Sequence, residues 1–319
     1  MVTLGDIQAA RTRIGAQLRR TPLIDSSWLS RASAADVRLK LESQQVTNSF
    51  KIRGALNALR RLTDGVAPQD RPHVVTASAG NHGRAIALAA ELTDLSATVF
   101  TPRDAPRVKT DAIIRHGATL RADADNYDQA ESMALDYAAR TGAIFVSPYD
   151  NDDVIAGAGT VGLEIVEEWH DVDVVLVPVG GGGLISGITV AVQALRPGIR
   201  VIGVEAAASQ AFSAARQAGR IVTIEPGPTL ADGLGGNVAS DTRTWPYIRD
   251  LVDAIVCVSE DDLRDAVRGL LGSEHLVAEG AGIAAVAAAA SRRADLAGCR
   301  AAVVVSGANI DTDRLVACL

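Results

Sequence analysis

Residues 172–195 read VDVVLVPVGGGGLISGITVAVQAL, and this stretch decides the fold class. The apolar run at 172–179 is rich in valine, which predicts a strand buried on both faces, as in a parallel sheet. The run at 184–195 predicts a helix directly afterwards. Between the two runs stand Gly180, Gly181, Gly182 and Gly183. Because glycines let the backbone approach a ligand and a helix N-terminus attracts anions, this unit favours phosphate binding.

The same alternation of apolar runs and helical stretches continues along most of the chain. Further strands are predicted at 73–77, 97–101, 144–147, 201–205, 254–258 and 301–306. Further helices are predicted at 83–92, 127–141, 209–218, 260–272 and 280–291. Strands that alternate with helices are typical of a doubly wound α/β fold. Turn-forming residues at 65–71 and 148–153 predict crossings between two domains, a large one at 1–65 plus 151–319 and a small one at 66–150.

Composition narrows the functional classes. Of the 319 residues, 48% are hydrophobic and 22% are charged, which provides for a sizeable core. A formal net charge of −7 argues against a nucleic-acid surface, which requires clustered basic residues. The N-terminus, MVTLGDIQAARTRIG, has no apolar run typical of a secretory signal, and the longest apolar stretch, 283–290, is too short to span a membrane. A cytoplasmic protein is therefore predicted.

The cysteines also favour a cytoplasmic location. The chain contains three of them, and their number is odd and their spacing wide: Cys257, Cys299 and Cys318. Such a set predicts reduced thiols and neither a disulfide framework nor a metal-ligand motif.

Residues 47–55, TNSFKIRGA, place Lys51 between Phe50 and Ile52 at the start of a helical run. A lysine between apolar neighbours can be desolvated, which favours the neutral amine that Schiff-base chemistry needs. From this segment alone, a solvated lysine at a helix N-terminus is an equally good interpretation.

Two further segments carry polar residues where predicted strands end. Residues 76–83, TASAGNHG, offer backbone and side-chain donors that suit a carboxylate, although Ser78 or Asn81 could simply cap the next helix. Residues 303–311, VVVSGANID, place Ser306 at a strand's carboxyl end, where α/β proteins bind ligands. Taken alone, Ser306 is better interpreted as a turn-capping serine.

The glycine loop has a rival interpretation. Gly181, Gly183 and Gly187 are similar to a dinucleotide fingerprint with its last glycine displaced by one, and Glu205 ends the next strand where a ribose-binding acid is expected. An NAD(P)-dependent dehydrogenase is therefore an alternative. A Walker A motif is excluded, because no Lys-Ser or Lys-Thr pair follows the glycines.

Together, the segments resemble the threonine dehydratase and serine racemase family of fold type II enzymes, which use pyridoxal 5′-phosphate (PLP). The likeness covers nearly the whole chain. Besides the segments above, it rests on Glu42, 126–128 (NYD), 154–157 (VIAG), 231–233 (ADG) and 278–282 (AEGAG). It implies a tryptophan synthase β-like fold, in which two doubly wound open-sheet domains hold the cofactor between them, with the large domain as the main PLP-binding unit.

The resemblance also implies roles for residues at matching positions. Lys51 would carry PLP and remove the substrate's α-proton, while Phe50 would lie beside the cofactor ring. Asn81 would bond the ring's 3′-oxygen, and Ser306 would bond the pyridine nitrogen. The phosphate would be held by Gly180, Gly181, Gly182, Gly183 and Leu184. The substrate carboxylate would be held by Ser78, Ala79, Gly80, Asn81 and His82.

The implied reaction is dehydration and deamination of a β-hydroxy amino acid, foremost L-threonine and L-serine, to a 2-oxo acid and ammonia. Alternatives within the family are serine racemase and a dehydratase for hydroxyaspartate or phenylserine. For a side-chain carboxylate such as that of hydroxyaspartate, only Arg53 and Arg84 are candidate cations. Racemases of the family carry a second serine where Ala79 stands, so dehydration is favoured.

Two further expectations follow from the same resemblance. Ala211 stands where the family's metal-binding Asp would partner Glu205, so no metal is predicted. A homodimer is expected.

Overall fold

The computed structural model describes residues 1–78, 80–103, 105 and 107–319, without the side chains of 107–109. Within this part of the chain there are ten strands: β1 Leu23–Asp25, β2 Asp36–Leu41, β3 Val74–Ala77, β4 Ala97–Pro102, β5 Thr119–Ala124, β6 Ile144–Phe145, β7 Val174–Pro178, β8 Arg200–Ala206, β9 Ala254–Val258 and β10 Arg300–Val305. The α-helices are α1 Leu4–Ile14, α2 Ser27–Ser33, α3 Lys51–Thr63, α4 Asn81–Thr93, α5 Arg107–Arg115, α6 Tyr127–Thr141, α7 Asp152–Glu168, α8 Gly183–Leu195, α9 Ala211–Ala218, α10 Thr244–Leu251, α11 Glu260–Gly269, α12 Gly280–Ala290 and α13 Thr312–Cys318.

The strands form two open sheets. The larger has the order β1-β2-β10-β7-β8-β9, and all its pairs are parallel except β1 with β2. The smaller has the order β5-β4-β3-β6 and is parallel throughout. The non-sequential strand orders and the helices between strands confirm the predicted α/β architecture with two sheets.

Both faces of the larger sheet are covered. Val174 and Leu176 of β7 face a core that includes α2, α11 and α12, whereas Val175 and Val177 face a core built with α7 and α8. Because successive strand residues point to opposite faces, a strand buried on both must be apolar at every position. This explains why the central strands are visible in the sequence as valine runs.

Helix α3, which begins at Lys51, packs with the smaller sheet. Its Ile52 and Leu56 share a core with Ile86 of α4 and Val99 of β4. All strands of that sheet lie between residues 74 and 145, and α3 joins them from outside this range.

Close glycine contacts tie α7 to its neighbours. A Cβ atom on Gly157 would lie 2.7 Å from the Cα of Gly54 in α3, and one on Gly187 would lie 2.8 Å from the Cα of Gly159. Neither separation leaves room for a side chain. Gly187, the third glycine of the apparent dinucleotide fingerprint, therefore serves the contact between α8 and α7.

The predicted elements have mixed outcomes. The bounds of α6 and β9 are confirmed, and the other predicted helices and strands are present with shifted ends. The prediction of a helix to residue 272 was wrong in type, because α11 ends at Gly269 and continues as a π-turn, Leu270–Glu274. The sequence did not reveal three strands and six helices: β1, β2, β5, α1, α2, α5, α7, α10 and α13. In the described residues, no helix is both long enough and apolar enough to cross a membrane.

Candidate functional site

The predicted segments meet where strands of both sheets end. Ser78 follows β3, the four glycines lie between β7 and α8, and Ser306 follows β10. The loop before Lys51 is attached to the Ser306 loop, since the Phe50 N–H donates to the Ser306 carbonyl at 3.1 Å. Carboxyl ends of parallel strands form the usual ligand crevice of α/β folds.

Lys51 is the first residue of α3, and its amine is engaged by the segment that follows β6. Its Nζ donates to the Pro148 carbonyl at 2.9 Å and lies 5.1 Å from the centre of the Phe50 ring. Burial lowers the pKa of Lys51 to about 8, although the Glu279 carboxylate acts in the opposite direction. Of the two interpretations that the segment left open, the structure therefore favours the desolvated amine over the solvated lysine.

Titration of Lys51 in the cofactor-free protein should show a midpoint near pH 8, well below the ordinary value for a lysine. The physical reason is that burial disfavours the charged amine. Reductive methylation with ¹³C label, followed by NMR titration, would measure the midpoint directly. The sequence contains three lysines, Lys40, Lys51 and Lys109, so the signals can be assigned by substitution. A midpoint above about 10, the ordinary range for a lysine, would contradict the burial argument.

The glycine loop is shaped by close approach of its neighbours. Gly182 has a φ of +87°, which favours glycine, and the Gly181 carbonyl accepts from Thr244 Oγ1 at 2.9 Å. A Cβ atom on Gly181 would overlap the Tyr149 ring, and one on Gly180 would lie 3.1 Å from the Gly233 carbonyl. The Tyr149 contact is a requirement that the sequence did not reveal.

Helix α8 begins at Gly183, and the buried Leu184 lies in its first turn. No described side chain caps this N-terminus. First-turn N–H groups that lack a protein acceptor are a suitable seat for a phosphate.

Asn81 is the first residue of α4, and its amide is held from both sides. Its Nδ2 donates to Glu279 Oε1 at 2.5 Å, and its Oδ1 accepts from Asn309 Nδ2 at 2.6 Å. Ser78 Oγ accepts from the Gly80 N–H at 3.1 Å, so neither Ser78 nor Asn81 caps α4 with its side chain. The predicted substrate residue Ala79 lies outside the described residues.

His82 is buried and neutral. Its Nε2 lies 3.1 Å from the Val146 carbonyl, which only accepts, so Nε2 carries the proton. Burial and the nearby Lys51 lower the pKa of His82 to about 3, against the opposing bond to Val146. The ring has no second proton to donate, so any contact of His82 with a substrate carboxylate must come from its backbone N–H.

The two arginines considered as substrate cations are both engaged. Arg53 is buried between the carboxylates of Glu42 and Glu164, at 2.8 and 2.7 Å. Arg84 Nη1 donates to Asn309 Oδ1 at 2.7 Å. Arg53 is therefore part of the protein's interior and does not face a substrate.

Glu205, the proposed ribose acid or metal ligand, has a different partner. Its Oε1 accepts from the Phe212 N–H at 2.8 Å, and its Oε2 accepts from the Ser213 N–H and Oγ at 2.9 and 2.6 Å. The carboxylate thus caps α9. Among the described residues, no cluster of three or more His, Cys, Asp or Glu side chains could hold a metal ion.

Three residues of this site were not assigned roles from the sequence. Glu279 and Asn309 lie in segments that carried the resemblance, but their partners come from distant parts of the chain. Tyr149 gave no sequence signal, because its ring packs against Gly181 from a separate loop that precedes α7.

Comparison with known proteins decides the family. The family described as "Pyridoxal-phosphate dependent enzyme" matches residues 14–307, which is most of the chain. The chain belongs to this family. Membership in a PLP-dependent family argues against the NAD(P)-dependent dehydrogenase alternative, which agrees with the engagement of Gly187 and Glu205 elsewhere.

Relatives of this PLP-dependent enzyme include two threonine lyases. The L-threonine ammonia-lyase of Thermotoga maritima is 41% identical over 99% of this chain and 77% of that protein. The catabolic L-threonine dehydratase TdcB of Escherichia coli is 38% identical over 98% of this chain and 95% of that protein.

Two solved structures extend the comparison. Maize serine racemase superposes with a TM-score of 0.92 at 32% identity, over 99% of this chain and 96% of that one. A threonine deaminase from T.th. superposes with a TM-score of 0.88 at 35% identity, over 97% of this chain and 99% of that one. The predicted family and fold type II architecture are confirmed.

The residues of this PLP-dependent enzyme fit the cofactor. The start of α8 offers free N–H donors to a phosphate, and Lys51 offers an amine of lowered pKa. Asn81, at the start of α4, is bonded to Asn309 of the loop that carries Ser306, and the Ser306 carbonyl accepts from the Phe50 N–H next to Lys51. PLP carries an aldehyde and a phosphate, so it requires an amine for the first and N–H donors for the second.

Proposed function

We propose that this enzyme catalyses PLP-dependent β-elimination of a β-hydroxy amino acid, with L-threonine as its main substrate and L-serine as a second. The products are a 2-oxo acid and ammonia, which makes the enzyme a lyase. The observation that carries the proposal is the desolvated Lys51 amine, which bonds the Pro148 carbonyl next to Tyr149, whose ring packs against Gly181 of the glycine loop. The alignment with threonine ammonia-lyase and threonine dehydratase over nearly the whole chain supports the choice of substrate.

Specific residues would hold the cofactor. Lys51 would bind it covalently, Asn81 and Ser306 would bond the ring, and Phe50 would lie beside it. Its phosphate would be bound by Gly180, Gly181, Gly182, Gly183 and Leu184. When bound, PLP supplies an electron sink for the electron pair left at the substrate's Cα.

Lys51 would move the proton. A pKa of about 8 leaves about a tenth of the amine neutral at pH 7, compared with less than about a thousandth for an ordinary lysine. A neutral amine within reach of Cα can accept the α-proton at Nζ and later release it to solvent. The Pro148 carbonyl orients this amine while it is free.

The substrate carboxylate would be held at the start of α4. The Ser78 hydroxyl and the backbone N–H groups of Asn81 and His82 are the donors proposed there, together with Gly80 and Ala79. A helix N-terminus attracts a carboxylate through its free N–H groups and dipole. Since the His82 ring has no spare proton, the backbone provides the donors at that position.

The engaged arginines favour an uncharged β-substituent. A substrate such as hydroxyaspartate brings a second carboxylate, which needs a cation of its own when water is excluded. Arg53 is paired with two carboxylates, so only Arg84, which donates one N–H to Asn309, could serve a second carboxylate. A methyl group or a hydrogen at Cβ requires no such partner.

A substrate panel tests the proposal. We expect PLP-loaded protein to release 2-oxobutanoate from L-threonine, with kcat/KM at least about tenfold above that for either 3-hydroxyaspartate diastereomer, because Arg53 is not available to the second carboxylate of the latter. L-Serine, D-serine and phenylserine complete the panel. Activity should not change with a chelator or with Mg²⁺, because Glu205 caps α9.

The outcomes of the panel separate the competing functions. If L-threonine is not turned over but another amino acid of the panel is, the substrate assignment moves to that amino acid. Formation of D-serine from L-serine would identify a racemase, the activity named for the maize structure. Loss of turnover with the chelator would contradict the role given to Glu205.

We also propose the organisation of the whole molecule. Residues 1–65 with 151–319 would form the large domain and 66–150 the small one, which is supported by the position of the four-stranded sheet between residues 74 and 145. The family resemblance supports a homodimer. The three free cysteines support a reducing, cytoplasmic location.

A further inference from the structure

Four side chains form a continuous row of hydrogen bonds beside the site, which we name the amide relay: Arg84, Asn309, Asn81 and Glu279. Arg84 Nη1 donates to Asn309 Oδ1 at 2.7 Å. Asn309 Nδ2 then donates to Asn81 Oδ1 at 2.6 Å, and Asn81 Nδ2 donates to Glu279 Oε1 at 2.5 Å. The relay joins the start of α4 to the Ser306 loop and to the residue before α12.

The chemistry of its ends gives the amide relay one direction. A guanidinium group only donates, so Arg84 requires the oxygen of the Asn309 amide. Asn309 Nδ2 also donates to the Thr47 carbonyl at 2.9 Å, and a carbonyl only accepts, so this end must be the nitrogen. With Asn309 fixed, the Asn81 amide must present its oxygen to Asn309 and its nitrogen to Glu279.

Glu279 is held with little freedom. It is 5% exposed, and its backbone N–H donates to the Gly307 carbonyl at 3.1 Å. A Cβ atom on Gly307 would overlap Glu279 Oε1, so only glycine leaves space for the carboxylate there. The acceptor at this end of the relay therefore has a fixed position.

We propose that Glu279 and Asn309 are positioning residues that set the orientation of the Asn81 amide, so that its nitrogen donates to the cofactor ring. This inference rests on the proposed function, in which Asn81 bonds the ring's 3′-oxygen. One N–H of Asn81 bonds Glu279, and the second is then available to the ring oxygen, which is an acceptor. A reversed amide would place its own oxygen against that acceptor, which is repulsive.

Replacing Asn309 by Asp removes the donor that fixes the Asn81 oxygen, with almost no change in shape. The introduced aspartate offers only acceptors, so Asn81 has an acceptor at each end and is no longer held in one orientation. We expect PLP to bind about 10- to 100-fold more weakly, the usual effect of removing a group that orients a ligand-binding side chain. We also expect a shift in the pH midpoint of the bound cofactor's visible absorbance, and a larger fall in kcat than rise in KM.

Asn57 provides a matched control. Its Oδ1 accepts from Arg13 Nη1 at 2.5 Å and its Nδ2 donates to the Asp153 carbonyl at 2.7 Å, which is the same pairing that Asn309 has with Arg84 and Thr47. Asn57→Asp should therefore lower stability without changing the PLP dissociation constant or the pH midpoint.

Two variants at Glu279 separate orientation from stability. Glu279→Gln keeps an oxygen acceptor for Asn81, so we expect less than about a threefold change in PLP affinity. In the double variant Asn309→Asp, Glu279→Gln, the amide introduced at position 279 can donate to a reversed Asn81. This variant should recover thermal stability relative to Asn309→Asp while its PLP affinity stays low.

The decisive measurements are PLP titration by absorbance, the pH dependence of that absorbance, and thermal unfolding of each variant. If Asn309→Asp binds PLP as tightly as Asn57→Asp and keeps the wild-type pH midpoint, the amide relay does not orient Asn81. If the double variant recovers PLP affinity together with stability, the relay is only structural. Failure of the wild-type protein to bind PLP would contradict the proposed function instead, so the two failures are distinguishable.

Discussion

Lys51→Ala is expected to lower kcat/KM for L-threonine at least about 10⁴-fold, because the variant loses both the covalent anchor and the group that accepts the α-proton. Release of 2-oxobutanoate measures the loss. Borohydride reduction of the PLP-loaded wild-type protein, followed by peptide mapping, should place the label on Lys51. The mapping is unambiguous because the chain has only two other lysines, and one of them, Lys40, is buried against Glu164.

Lys51→Arg provides the matched control for charge. Its guanidinium keeps the positive charge but stays protonated, so it can neither bond the aldehyde nor accept a proton. Its loss of activity should therefore equal that of the alanine variant. Substantial turnover by either variant after removal of free PLP, or a label found on Lys40, would refute the assignment of Lys51.

Strands of the larger sheet could be predicted from the sequence where burial on both faces makes every residue apolar. Central strands such as β7 are apolar at every position because both faces are covered. Strand β2 escaped prediction because it contains Lys40, which is buried only because Glu164 of α7 pairs with it at 2.8 Å. Glu164 lies in a distant part of the chain, so the residues around Lys40 do not predict the pair. Strand β5 alternates exposed and partly buried residues at the sheet edge and lacks an apolar run.

Helix capping shows the same limit. Asn126 and Ser259 cap α6 and α11 as their residue types predict. A cap by Ser209 on α9 is also a natural expectation, but it is wrong. Ser209 Oγ accepts from the Gly236 N–H at 3.1 Å, while Glu205 caps α9 from the end of β8. A charged acceptor supplied by tertiary structure has displaced a local one.

The residues of the candidate site also differ in how far the sequence predicts them. Lys51, Asn81 and Ser306 received their predicted roles from the family resemblance of their segments, because the local pattern left Lys51 open and favoured a turn-capping role for Ser306. Glu279 and Asn309 became visible only when folding brought three loops together. Orientation of a side chain depends on its partners, and partners distant in the chain leave no local trace.

The largest effect on stability is expected from Arg53→Met, which should reduce the free energy of unfolding by about 3–5 kcal/mol. Arg53 is 1% exposed, and its Nε and Nη2 each donate to Glu42 at 2.8 Å. Its Nη1 and Nη2 donate to Glu164 at 2.7 and 2.9 Å. Removing the guanidinium leaves Glu42 as a buried charge without this partner, and such a charge is costly in a medium of low polarity. Urea unfolding followed by circular dichroism measures the change.

Arg61→Met in the same helix is the control. Arg61 pairs with Asp153 at 3.4 Å on the surface, where an ion pair contributes at most about 1 kcal/mol. The double variant Arg53→Met, Glu42→Gln should recover part of the loss, since it removes the unpaired charge. Equal urea midpoints for Arg53→Met and Arg61→Met would show that the buried network contributes nothing beyond a surface pair.

The stability loss in Arg53→Met should depend on pH in a direction that follows from the pKa of Glu164. Burial opposes ionisation of Glu164, but Arg53 and Lys40 outweigh it and lower its pKa below 4.5. A carboxyl whose pKa is lower in the folded state stabilises the fold above its unfolded pKa, and this contribution is lost as pH falls through the folded value. The stability difference between wild type and Arg53→Met should therefore be largest at about pH 6–7 and shrink below about pH 4.5. Because Arg53 lies two residues after Lys51 on α3, this ion network also holds the helix that places the reactive amine.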